Sequence, residues 1–229
     1  MTATLRSSID PLAWAIAATL AFLGATVVRA DDPPRGRVRL FDGKSLDGWK
    51  KVESYKAGEA KVEDGAIVLE KGGPMTAIAS TRPDLPKTNY ELSFEARRTS
   101  GDDFFAAATF PVGGSFLTLV NGGWGGSITG LSSINGADAS ENETNRFVKY
   151  ENGTWYKFRV VVTDSVVRCQ VDGKEIIALD YEGQQVKTRL EVRNCQPLGF
   201  ASWRSGGEVR AIEVRPLSDA EVEAAKKLE

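Results

Sequence analysis

The chain has 229 residues, with 29 Lys and Arg against 31 Asp and Glu, and no histidine. A net charge of −2 gives no basic footprint for nucleic acid, so none is expected as a partner. The missing imidazole excludes a Ser-His-Asp triad, a His-ligated zinc and a His general base. Proton transfer is left to Asp, Glu, Lys, Tyr or water, and calcium is the kind of hard, oxygen-ligated ion that such a chain would bind if it binds one.

Arg6 precedes an apolar run from Pro11 to Val28, and Val28-Arg29-Ala30 leads into Asp31-Asp32-Pro33-Pro34. This reads as an export signal over residues 1–30, cleaved after Ala30. The run is also long enough for a membrane anchor, but the small residues before a polar, Pro-rich break favour cleavage. The expected product is periplasmic, envelope-associated or extracellular, with no stable membrane span. Residues 31–37 read as a solvated linker, 38–217 as one β-domain and 218–229 as a short helical tail.

Leu40 to Trp49 opens the domain as a short strand, a loop turned by Asp42-Gly43 and Asp47-Gly48, and a Trp that pins the chain to a core. Lys61–Glu63 and Ala66–Leu69 flank Asp64-Gly65, a two-residue hairpin signal. Tyr90 to Arg97 alternates apolar and polar, which predicts a strand with Glu91, Ser93, Glu95 and Arg97 on one face. Apolar runs follow at 104–110 and 116–120. Trp155–Val162, Val166–Val171 and Glu175–Leu179 read as a meander turned by Asp164-Ser165 and Asp172-Gly173. Leu198–Trp203 and Val209–Val214 are the last strands, and Asp219–Leu228 is a helix capped by Ser218. About a dozen short strands with regular turn signals predict an all-β, antiparallel two-sheet sandwich of jelly-roll size. Cys169 and Cys195 can be a disulfide in an exported protein or two buried thiols.

Three places can carry chemistry. Glu95 and Arg97, two residues apart on one strand face, can deprotonate and polarise a sugar or simply form a surface ion pair. Trp203-Arg204 offers an aromatic platform beside a cation, or a buried Trp beside a solvated Arg. Between Asn121 and Thr144, a Gly-rich turn surrounds Trp124, and a polar loop holds Asn135, Asp138, Glu141 and Glu143. That segment is a binding loop, with Trp124 stacking on a sugar and the polar groups taking hydroxyls or calcium, or an ordinary solvated loop.

Leu40-Phe41-Asp42-Gly43-Lys44-Ser45-Leu46-Asp47-Gly48-Trp49 resembles the opening of the 3-keto-disaccharide hydrolase domain family. The strand Tyr90 to Arg97 resembles that family's Glu-x-Arg strand. Asn152 to Val160, then Asp172-Gly173-Lys174, resembles its Gly-x-Trp strand and the turn that follows, and Pro197-Leu198-Gly199-Phe200 through Val214 its closing pair. The chain departs from the family at Gly101-Asp102-Asp103-Phe104 and at Trp203-Arg204-Ser205-Gly206, where a His-Gly pair is common. The resemblance implies a concanavalin A-like sandwich acting on a sugar already oxidised to a ketone at C3. A base removes the acidified C2 proton, the C1 oxygen leaves, and water adds to the enone. In that scheme Glu95 is the base, Arg97 or Arg204 the carbonyl polariser, and Trp124, Trp203, Asn135, Asp138 and Glu141 bind the sugar. The rival readings are a non-catalytic carbohydrate-binding module and a structural envelope or adhesion domain.

Overall fold

A computed structural model describes residues 36–228; the expected export signal and most of the linker lie outside them. The chain is an antiparallel sandwich of two sheets. In chain order the strands are β1 (Val38–Arg39), β2 (Trp49–Lys51), β3 (Ala60–Glu63), β4 (Ala66–Leu69), β5 (Met75–Ser80), β6 (Tyr90–Ser100), β7 (Ala107–Val112) and β8 (Ser115–Gly122). They continue as β9 (Ile128–Ser132), β10 (Arg146–Phe147), β11 (Tyr156–Val162), β12 (Val166–Val171), β13 (Lys174–Asp180), β14 (Gly199–Trp203) and β15 (Gly206–Pro216). One sheet runs β13-β12-β11-β6-β15-β4-β3, with β1 also paired to β15; the other runs β10-β9-β8-β7-β14-β5-β2.

Local chemistry explains the corners. Asp64 and Gly65 take φ of 48° and 77°, and Asp172 and Gly173 take 49° and 79°. Two consecutive left-handed residues make the turn that suits the twist of a two-residue hairpin, and Asp-Gly tolerates them best. Asp42 accepts the backbone N–H of Lys44 and Ser45 at 2.8 and 2.9 Å. Trp49 is buried and donates its indole N–H to the Leu40 carbonyl at 2.9 Å.

The core fills the space between the sheets. Phe94 on β6 stacks on Phe158 of β11 with centroids 5.0 Å apart, and meets the edge of Phe200 from the other sheet at 5.0 Å. The C-terminal helix spans Asp219–Lys226, with a capping box between Ser218 and Glu221. It docks on the outer face of the first sheet: Val222 is buried, Arg215 bonds Glu221 at 2.8 Å and Lys226 bonds Asp164 at 2.9 Å. Among the described residues no helix is long and apolar enough to cross a membrane.

Both cysteines are buried free thiols. Cys169 faces the main core, while Cys195 packs with Val52, Met75, Ala77, Ala79, Val192 and Ala201 in a separate cluster. Of the two readings of the pair, buried thiols is the one observed.

Candidate functional site

Alternation along each strand decides what the outer face of the second sheet offers. On β7, Ala108, Phe110 and Val112 enter the core, and on β8 Leu117 and Leu119 do the same. Their neighbours Ala107, Thr118 and Val120 therefore point outward, as does Ser132 on β9. These small side chains form the floor of a cleft of about 240 Å³. Its walls come from loops: Asp103 and Phe104 before β7, Trp124 after β8, Arg189, Glu191 and Val192 before β14, and Trp203 at the end of β14.

Hydrogen bonds and packing fasten the walls. Trp203 donates its backbone N–H to the Phe104 carbonyl at 3.0 Å, and the two rings lie 6.1 Å apart. The Asp103 backbone N–H donates to Ser205 Oγ at 2.9 Å, and that hydroxyl donates back to the Asp103 carbonyl at 3.1 Å. Trp124 crowns the Gly-rich turn in a left-handed conformation, φ 49° and ψ 53°, and stays 43% exposed. The segment after β13 crosses the same face and presses Val192 and Cys195 onto Ala77, Ala79 and Ala201. A Cβ at Gly199 would fall 2.5 Å from the Cys195 and Ile78 carbonyl oxygens, so only glycine permits that approach.

Two acids and one cation line the cleft. Arg189 grips Glu191 with two N–H groups at 3.2 and 3.0 Å, and a third bonds Asp138 across the neighbouring loop. The guanidinium holds the Glu191 carboxyl below its ordinary range, and Glu191 in turn raises Arg189. With three of its five N–H donors committed, Arg189 keeps two for a ligand. Asp103 differs from Glu191. One carboxylate oxygen accepts the Phe104 N–H at 2.8 Å, and the other has no partner among the described residues.

The structure brings together only part of what the sequence suggests. Trp124 and Trp203 share the cleft, and Arg204 is exposed on the turn just after Trp203. Asp138 sits behind Arg189, held also by Ser133 at 3.1 Å. Asn135 bonds Gln184 and the Gln185 backbone, pairing two loops rather than facing the cleft. Glu141 is exposed, outside the cleft lining. Glu95 and Arg97 lie on the outer face of the other sheet. There Glu95 accepts from Arg210 at 2.9 Å and Arg97 donates to Glu208 at 2.8 Å. Both guanidinium groups lie over the Trp155 ring, at 4.8 Å for Arg97 and 4.0 Å for Arg210. This is the surface ion-pair arrangement, on a different face from the cleft, whose lining includes neither residue. Among the described residues no group of three or more His, Cys, Asp or Glu is placed to hold a metal ion, so the calcium expectation finds no such cluster.

Sequence reasoning missed Asp103, Phe104, Arg189 and Glu191. Asp103 stood in the stretch 101–104, where the chain departs from the family it resembles. Arg189 and Glu191 fall in a segment with no periodicity to read.

Solved structures share the fold at low identity. A Crh5 transglycosylase in complex with NAG aligns with a TM-score of 0.55 and 13% identity, over 80% of this chain and 83% of that one. Domain 4 of AbnA, a GH43 extracellular arabinanase from Geobacillus stearothermophilus in complex with arabinotriose, gives 0.51 and 12%, over 84% and 97%. A sialidase gives 0.53 and 14%, over 82% of this chain and 19% of its own. No curated protein sequence matches the chain. The model of the 3-keto-alpha-glucoside-1,2-lyase-like domain matches residues 36–215, which is nearly the whole sandwich with Asp103, Trp124, Arg189 and Trp203 inside it, and the chain belongs to that carbohydrate-active family.

Proposed function

We propose that this domain cleaves 3-keto glycosides in the cleft on the second sheet, with Asp103 as the base. The observation that carries this reading is the contrast between the two acids lining the cleft. Glu191 is neutralised by a two-point guanidinium contact, whereas Asp103 keeps an oxygen without a partner. A carboxylate held low by a paired cation is a weak base, and an uncommitted one is a better proton acceptor. Trp124 and Trp203 stack on the pyranose, and the two uncommitted N–H groups of Arg189 meet the C3 oxygen as it gains charge.

The atoms balance without a nucleophile on the protein. The C2 proton passes to Asp103, the C2–H electron pair becomes the C1–C2 double bond, and the C1–O bond breaks toward the leaving oxygen. That oxygen takes the proton back from Asp103, and water then adds across the enone. Asp103→Asn is expected to lower turnover of a 3-keto glucoside by about 10²–10⁴-fold, the usual worth of a general base, with ligand affinity nearly kept. Glu95→Gln, on the opposite face, is expected to leave turnover unchanged. Wild type that binds glycan but cleaves no 3-keto glucoside would reduce the domain to a binding module. The reverse pattern in the two variants would return the base to Glu95.

A further inference from the structure

One buried charge is unaccounted for by the sandwich or the cleft. Arg98 is only 7% exposed, and no carboxylate pairs with it among the described residues. Its guanidinium donates instead to Asn152 Oδ1 at 2.5 Å, the Tyr150 carbonyl at 2.8 Å and the Asp103 carbonyl at 3.4 Å. Its central carbon lies 5.8 Å from the centre of the Phe105 ring. A buried cation is costly unless every donor finds a partner, and removal of those partners is strongly unfavourable. Such a group is therefore a stiff junction for the segments that supply the acceptors.

Those segments are the ones that carry the cleft. The Asp103 carbonyl belongs to the loop that presents the proposed base. Gly122 and Gly126 bracket Trp124, and a Cβ on either would sit 3.5 or 3.2 Å from an Arg98 terminal nitrogen. At Gly126 it would also meet the Asp102 carbonyl at 2.8 Å, so the Trp124 turn rests on the same loop and the same guanidinium. The third segment closes the ring, since Asn152 donates to the Gly101 carbonyl at 3.2 Å and the Gly153 N–H donates to the Arg98 carbonyl at 2.7 Å.

We infer that Arg98 is a positioning residue, which sets Asp103 and Trp124 in register with each other without touching substrate. The inference rests on the function proposed above for the consequence in catalysis, but not for the ordering of the loops. Its test has two readouts in Arg98→Ala, Arg98→Lys and, in case the first does not fold, Asn152→Ala. One is kcat and KM on a 3-keto glucoside, with and without added guanidinium. The other is hydrogen exchange at the amides of residues 101–104 and 122–126 without substrate. Misplacement of reacting groups by about 1 Å costs on the order of 10²-fold, so Arg98→Ala is expected to lose about that in kcat with a smaller change in KM. Guanidinium should recover a large part of the loss, and Lys, which cannot reach three acceptors from one planar fork, should not. Asn152→Ala should lose less. Protection should fall in those two segments and hold in β11 and β15. Full kcat in folded Arg98→Ala, or unchanged protection in both segments of Arg98→Ala or Asn152→Ala, would overturn the inference. Lost protection alongside a wild type that turns over no 3-keto glucoside would overturn only the function, leaving Arg98 as the junction.

Discussion

Trp124→Gly separates a functional tryptophan from a structural one by setting two opposing magnitudes against each other. A large aromatic buries roughly 150–250 Å² when enclosed. Trp124 remains 43% exposed, so its share is about 100 Å², worth roughly 2.5 kcal/mol at 25 cal/mol per Å². Against this stands its backbone. A side chain at φ 49° and ψ 53° costs about 1–2 kcal/mol relative to glycine, because Cβ crowds the following carbonyl. Gly substitution relieves that strain, so the net loss in stability is about 1 kcal/mol.

Trp124→Ala keeps the strain and loses the ring, so it should be less stable than the Gly variant by about 1 kcal/mol. Trp49→Ala gives the scale for a structural tryptophan. That ring is buried and hydrogen-bonded, and about 3–5 kcal/mol should be lost. Urea unfolding at constant m-value reads all three, and titration with a glycoside reads binding. Trp124→Gly should unfold close to wild type while its binding falls at least tenfold. A Gly variant that is 3 kcal/mol less stable, or no less able to bind, would refute it.

The remaining predictions concern protonation. Burial raises the Cys169 thiol and pushes Cys195 up to about 12, so neither should react with an aromatic disulfide at pH 8 until the protein unfolds; fast labelling of either would contradict the buried-thiol packing. Glu221 is held at about 2, chiefly by Arg215. Its folded pKa lies below its ordinary 4.5, so the stability it adds is complete above that value and disappears as pH falls through about 2. With its side chain 41% exposed, solvent screening leaves about 1 kcal/mol. Glu221→Gln should therefore cost about that at pH 7 and almost nothing near pH 2 by thermal melts, and an equal cost at both pH values would assign the effect to the cap geometry alone.

The sandwich was legible because its corners and faces are local. Asp64-Gly65 and Asp172-Gly173 need left-handed pairs that few other dipeptides accept, and the period-two pattern of β6 assigns Phe94 inward and Glu95 outward without knowledge of any partner. The cleft was not legible in the same way, because its walls at 103, 124, 189 and 203 are set by loops whose meeting depends on the whole fold. Arg98 marks the boundary between the two cases. The same alternation that placed Glu95 and Arg97 outside puts Arg98 inside with Phe94 and Ala96, where a charge is out of place. An Arg at an inward position is a readable signal, although its acceptors in the 103 and 150–152 loops are not.

The choice of the second sheet for the proposed site rests on how charges are spent. On the first sheet, Glu91 is held by Arg159 and Arg215, each at 2.7 Å, Glu95 by Arg210 and Glu208 by Arg97. Every carboxylate in that ladder already has a cation, and Trp155 is covered by two guanidinium groups. A ligand there would have to compete with those ion pairs for the same groups. On the second sheet the floor is small and largely apolar, two tryptophans stand partly open, and Asp103 keeps an oxygen uncommitted. Charges of the same kinds stand on both faces. Among the described residues, the second face sets a carboxylate with no cation on it and the spare donors of Arg189 beside two partly open tryptophans, the combination that the elimination proposed above would use.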